Sequence, residues 1–169
     1  LLLVDSSETM LPFAPAIAPL VSVILDKQIS PAQVYRFSTY PGEYLYDWYR
    51  PTQATPVDAV LAQLHPRHTV VLVWSVAGAQ MRRRDRDQRL GWLQFLTRLT
   101  ACIRELVWLY PLPPERWSGT LAAELALWLD GRMIPAQLEP WLATAKAPVS
   151  LDRFVLHPPL LTPPRGGTS

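Results

Sequence analysis

The feature that most constrains the fold of this chain is a set of three short apolar runs. They read "LLLV" at residues 1–4, "VVLVW" at 70–74 and "LVWLY" at 106–110. None of them alternates apolar with polar residues, as a strand with one solvent-facing side does. Continuous apolar runs of this length are typical of parallel strands that are covered on both faces. The sequence therefore predicts a central parallel sheet packed between helices.

The segments between these runs show either helical or alternating periodicity. Residues 33–49 alternate on both sides of Pro41-Gly42, which predicts a β-hairpin. Residues 51–56 are predicted to form a loop. Helices are predicted at residues 11–27, at "VDAVLAQL" (57–64), from Leu90 onward, at "GTLAAELALWL" (119–129) and at 135–147.

This order of elements is that of an α/β protein with right-handed crossovers between parallel strands. We predict a Rossmann-like, doubly wound, mostly parallel sheet with a β-hairpin at its edge and helices on both faces. Residues 1–150 form this domain. The Pro- and Gly-rich end, residues 151–169, is predicted to be a tail or linker.

Composition excludes several classes of protein. A chain of 169 residues suits one domain, and its net charge of +2 is too small to predict nucleic-acid binding. Cys102 is the only cysteine, so neither an intrachain disulfide nor a cysteine metal cluster is possible. Three prolines interrupt the apolar stretch 11–25, so we predict no membrane span and a cytoplasmic location. Because the chain begins inside a strand, we expect it to be a domain of a longer protein.

Three polar residues stand where the predicted strands end, namely Asp5, Ser75 and Tyr110. In open α/β sheets, ligands bind at this edge. Asp5, Ser7 and Thr9 alternate directly after the first strand, and such hard oxygen ligands suit Mg²⁺ or Mn²⁺. The alternative is structural, because the same residue types commonly cap the helix that follows a strand.

The segment "VDSSETM" resembles the D-x-S-x-S/T motif of von Willebrand factor A domains, which begins their metal-ion-dependent adhesion site. The hairpin 33–49, the strand "VVLVWS" and "VWLYPLPPERWSGT" also resemble a group of bacterial intracellular proteins with A-like domains. The resemblance covers about residues 1–130. It implies Asp5, Ser7, Thr9 and Thr55 as the ligands of a weak Mg²⁺ or Mn²⁺ site.

The chain departs from that family at the next ligand position. Where the family has an acid after the fourth strand, this chain reads "SVAGA", so Val76 replaces a carboxylate. The resemblance therefore implies a degenerate site in a non-catalytic protein-interaction module of a bacterial cytoplasmic system. It implies a protein partner, either through an acidic residue that completes the coordination of the metal or through an associated NTPase or effector domain.

An enzymatic alternative also fits part of the pattern. Haloacid-dehalogenase-like phosphatases begin with an apolar strand and D-x-D-x-T, in which Asp5 would be the nucleophile. Ser7 then stands where the general acid should be. No pair of later acids is available to hold the Mg²⁺ that phosphoryl transfer needs.

Further residues are candidates for contact with a partner. Arg82, Arg83 and Arg84 form the most concentrated positive patch, although neighbouring acids favour a solvated helix start. Trp48 shares one face of its strand with Tyr44 and Tyr46, and that face is either a contact surface or packed under a helix. The two remaining candidates, Ser75 and Trp117, lie at the strand-end rim.

Overall fold

The structure is a computed structural model that describes residues 1–77, 86–129 and a short strand at 133–135. It has the α/β architecture that the apolar runs predict. Within these residues, seven strands form one sheet in the order β4-β3-β2-β1-β5-β6-β7. The strands are β1 (Leu2–Asp5), β2 (Val34–Phe37), β3 (Tyr44–Asp47), β4 (Ala54–Pro56), β5 (Val70–Trp74), β6 (Glu105–Tyr110) and β7 (Met133–Pro135).

The sheet is mostly parallel, as expected. β1 lies between β2 and β5 and pairs with both in parallel, and β6 and β7 continue the parallel series. β3 pairs antiparallel with β2, which confirms the predicted hairpin. β4 then pairs antiparallel with β3 at the edge of the sheet. Residues 51–56 are therefore not entirely a loop, because their last three residues form a strand.

The helices in the described residues are α1 (Ala14–Leu25), α2 (Val57–Ala62), α3 (Arg86–Cys102) and α4 (Leu121–Trp128), together with two 3₁₀ helices (Glu8–Phe13 and Pro114–Arg116). The connection from β1 to β2 runs toward one edge, whereas the connections through α3 and α4 run toward the other. Right-handed crossovers in opposite directions place their helices on opposite faces. This is the doubly wound arrangement that the sequence predicts.

The first crossover is strongly apolar. The helical segment Glu8–Leu25 is long and apolar enough to cross a membrane, judged by length and composition alone. In the structure one side of it is buried, through Ile17, Leu20, Val21 and Ile24. The segment is thus used as a core helix of the sheet.

The core on the other face is aromatic and lies under α3. Trp92 of α3 contacts Phe37 of β2 edge-on, with ring centroids 5.4 Å apart, and lies 4.7 Å from Trp108 of β6. All three side chains are almost completely buried. The packing fixes α3 across the central strands, directly beside the edge of the sheet where β1, β2 and β5 end.

Candidate functional site

The carboxylate of Asp5 joins the loops that follow three neighbouring strands. Its Oδ1 atom accepts hydrogen bonds from the backbone N–H groups of Ser7 (2.9 Å) and Thr39 (3.2 Å), in the loops after β1 and β2. Its Oδ2 atom accepts a hydrogen bond from the hydroxyl of Ser75 (2.7 Å), directly after β5. Asp5 is only 3% exposed. Both carboxylate oxygens are thus engaged by donors of the chain itself.

Ser75 belongs to the interior of this arrangement. It is completely buried, and its hydroxyl oxygen accepts a hydrogen bond from the N–H of Ala77 (2.9 Å) while donating to Asp5. Its backbone carbonyl accepts a hydrogen bond from the indole N–H of Trp108 (2.9 Å). The expected partner contact through Ser75 does not fit this position, because no surface of its side chain is accessible.

Two of the loop residues held at this site have left-handed backbone conformations. Thr39 has φ of 72° and Ala77 has φ of 47°, and each donates its N–H to the Asp5–Ser75 pair. Positive φ is costly for residues with a Cβ, above all for a β-branched one, at roughly 1–3 kcal/mol each. Hydrogen bonds to the buried pair offset this strain. We call Asp5, Ser75, Thr39 and Ala77 the strand-end cluster.

Ser7 and Thr9 lie beside the strand-end cluster and bond to each other. The distance between their hydroxyl oxygens is 2.9 Å, and both residues are half-buried. Ser7 occupies the N-cap position of the 3₁₀ helix, but its side chain makes no capping hydrogen bond. The helix-cap alternative is therefore wrong for Ser7.

Thr55 lies far from the other three predicted metal ligands. It pairs with Leu45 in β3, and the register continues through β2 to Asp5 in β1. Thr55 is therefore in the same row as Asp5 but three strands away, which is about 14 Å at the usual strand spacing. A metal ion that contacts Asp5 cannot also contact Thr55 in this arrangement.

The side chains present at the strand ends fit a metal ion poorly. Asp5 is the single carboxylate of the strand-end cluster, and three protein hydrogen bonds already occupy most of the acceptor positions of its two oxygens. Val76, at the position where the family has an acid, is apolar and 2% exposed. Within residues 1–77, 86–129 and 133–135 no three His, Cys, Asp or Glu side chains converge. Mg²⁺ sites normally draw on one or two accessible carboxylates.

The third strand-end residue, Tyr110, is also buried. Burial raises the pKa of its hydroxyl above the ordinary value of 10.0. Within the part of the chain that the structure describes, this hydroxyl has no hydrogen-bond partner. The ring of Tyr110 packs edge-on against Trp117, with centroids 5.2 Å apart. Tyr110 thus belongs to the packing beneath the rim.

Trp117 fixes the loop that follows β6. Its indole N–H donates a hydrogen bond to the carbonyl of Leu112 (3.0 Å), and the residue is half-buried. A structural role accounts for these contacts, while part of the ring stays accessible. Arg82, Arg83 and Arg84 lie outside the residues that the structure describes.

The aromatic residues of the hairpin are accessible. Tyr44 is 47% exposed and Tyr46 is 39% exposed, whereas Trp48 is half-buried. The guanidinium of Arg36, from β2, lies over the Trp48 ring, 5.0 Å from its centroid. Of the two alternatives for this face, packing under a helix is wrong for Tyr44 and Tyr46.

Sequence reasoning placed Asp5 and Ser75 at one edge but missed Thr39 and Ala77. A threonine gives no signal of positive φ, which sequence patterns associate with glycine or asparagine. No protein-family model, curated protein or solved structure matches this chain.

Proposed function

We propose that this chain is a non-catalytic protein-interaction domain, similar to von Willebrand factor A domains, whose strand-end metal site is vestigial. The observation that carries the proposal is the state of the Asp5 carboxylate, which is buried and hydrogen-bonded to three donors of the chain. In this role Asp5 orders the loops around the strand ends. A protein of this class acts by presenting those loops and the neighbouring faces to a partner.

The same contacts count against the phosphatase alternative. A nucleophilic aspartate needs a lone pair directed at the substrate, and transition-state charge must be stabilised by metal or by preorganised donors. Both oxygens of Asp5 already accept hydrogen bonds, and Ser7 and Thr9 bond to each other. Nothing in this geometry favours phosphoryl transfer.

The partner that we propose is a protein of the same bacterial cytoplasmic system, such as an NTPase or effector domain. With the metal site vestigial, an acidic residue of the partner has no ion to complete. In this proposal the accessible side chains of the rim and of the hairpin contact the partner. The exposed Tyr44 and Tyr46 support a contact through the hairpin, because aromatic residues are enriched at protein interfaces.

Calorimetric titration of Mg²⁺ and Mn²⁺ into the purified protein tests this function. We expect no saturable binding to the natural sequence and measurable Mn²⁺ binding to Val76→Asp, which returns a second carboxylate to the site. That gain should vanish in Val76→Asp/Asp5→Ala. It should persist in Val76→Asp/Asp26→Ala, because Asp26 is an exposed acid at the end of α1.

Two results would overturn the proposal. The first is Mn²⁺ binding by the natural sequence that disappears in Asp5→Ala and is strengthened by an acidic peptide, which would establish a working adhesion site. The second is turnover of p-nitrophenyl phosphate that disappears in Asp5→Asn, which would establish a phosphatase. Circular dichroism of each variant checks that the fold is retained.

A further inference from the structure

A row of three aromatic side chains lies on one face of the hairpin. Tyr44 and Tyr46 alternate along β3 and point to the same side of the sheet, and Trp48 follows directly after the strand. Arg36 of β2 stands directly opposite Tyr46 on that side. We call Tyr44, Tyr46, Trp48 and Arg36 the aromatic platform.

Hydrogen bonds and stacking hold the aromatic platform rigid. The Arg36 guanidinium lies on the Trp48 ring and donates a hydrogen bond to the Trp48 carbonyl. β3 pairs with β2 on one side and with β4 on the other, so its backbone is fixed along both edges. The Arg36–Trp48 pair and the backbone that carries Tyr44 and Tyr46 are therefore ordered before a ligand binds, which lowers the entropic cost of binding.

The spacing of these rings fits an extended proline-rich ligand. Alternate residues of a strand lie roughly 6.5–7 Å apart. A dipeptide in a polyproline II helix advances about 6.2 Å. This repeat is close to the spacing of the rings, so successive dipeptides of the ligand could each lie between two neighbouring rings. Aromatic-lined grooves are the surfaces that recognise such segments, and polyproline II loses little entropy on binding.

The chain itself contains a segment of this kind. Residues 157–164 read "HPPLLTPP", with four prolines and no acid in eight residues. β3 and Pro135 of β7 are separated by five strand spacings, which is about 24 Å across the sheet. Residues 136–156 could span up to roughly 70 Å when extended, so the proline segment is long enough to reach the platform.

We propose that the proline-rich residues 157–164 bind to the aromatic platform of the same molecule. The proline-rich end of the chain would contact the face of β3 on which Tyr44 and Tyr46 are exposed. This proposal does not depend on whether the strand ends bind metal.

Aromatic ¹H–¹³C spectra of the full chain test the docking. The tail variant replaces Pro158, Pro159, Pro163 and Pro164 by serine, and the Tyr44 and Tyr46 ring signals are assigned from Tyr→Phe variants. We expect both ring signals to shift in the tail variant, with the Tyr49 ring unchanged. Tyr49 is the matched control, because it is 68% exposed and lies just past Trp48.

A peptide of residues 154–167, titrated into the tail variant, should return the Tyr44 and Tyr46 signals toward their natural positions in a saturable manner. The peptide should lose this effect when Tyr44→Ala and Tyr46→Ala are added and keep it with Tyr49→Ala. Identical Tyr44 and Tyr46 signals in the natural chain and the tail variant would overturn the proposal. It would also fail if dilution of the natural chain reproduced the shifts, since a second copy would then supply the segment.

Discussion

Removing the Asp5 carboxylate should destabilise this protein through the donors that it leaves without an acceptor. Asp5→Ala removes the hydrogen-bond acceptor of three donors. These are the hydroxyl of Ser75, which is buried, and the N–H groups of Ser7 and Thr39, which are partly buried. A buried donor without a partner costs about 1–3 kcal/mol, with the lower value where water can reach it. Together these give a loss of about 4 kcal/mol in the free energy of unfolding.

Urea unfolding followed by circular dichroism measures this loss, and thermal unfolding offers a second readout. For a chain of this size, 4 kcal/mol corresponds to a fall in Tm of roughly 8–16 °C. Asp26→Ala is the matched control, because it also removes one carboxylate but from an exposed position. Its effect should stay within about 0.5 kcal/mol.

A double-mutant cycle separates the Asp5–Ser75 bond from the rest of the strand-end cluster. Hydrogen bonds to charged groups contribute about 1.5–3 kcal/mol, and we expect a coupling energy in this range between Asp5→Ala and Ser75→Ala. The reasoning is refuted if the free energy of unfolding of Asp5→Ala lies within about 1 kcal/mol of that of the natural protein. A coupling energy below about 0.5 kcal/mol would refute the assignment of Ser75 as the main partner of Asp5.

Two further predictions concern residues packed around the strand ends. A Cβ at Gly91 would lie 2.4 Å from the Tyr40 ring, so Gly91→Ala should lower the free energy of unfolding by about 1 kcal/mol despite its better helix propensity. Gly42→Ala, whose Cβ would lie 4.0 Å from the same ring, is the control, and equal effects of the two variants in urea unfolding would contradict the contact. Because burial raises the pKa of Tyr110, its contribution to stability is complete below pH 10 and is lost as the pH rises toward the folded-state pKa. Tyr110→Phe should therefore reduce the fall in the free energy of unfolding above pH 10 by about 1.4 kcal/mol per pH unit. An unchanged slope, measured by urea unfolding, would show that folding does not raise the pKa of Tyr110.

Most of the sheet could be predicted because its central strands carry their own signal. The apolar runs around Leu3, Val73 and Trp108 are long enough to specify buried parallel strands, and the structure places them side by side. β4 and β7 were missed since each has three residues and ends in proline. Such short strands exist only because a neighbouring strand supplies hydrogen bonds, which no local pattern records.

The candidate site could be predicted only in outline, for a related reason. The ends of β1 and β5 identified Asp5 and Ser75 as neighbours, but the bond between them joins residues 70 positions apart. Thr55 was assigned through the family resemblance, by its place before the following helix. The pairing of β4 with β3 decides its actual position, and that pairing depends on the turn at residues 48–53. Sequence spacing alone does not contain that register.

The prolines that end β4 and β7 also limit how this protein can associate. Pro56 and Pro135 lack the N–H that a further strand would need, and each outer strand has only three residues. Long, regular outer strands invite another chain to extend the sheet, and short strands with proline discourage it. A continuous sheet shared between two molecules is therefore disfavoured along the described parts of both outer strands. The broad faces of the domain and the loops above the strand ends carry no such restriction.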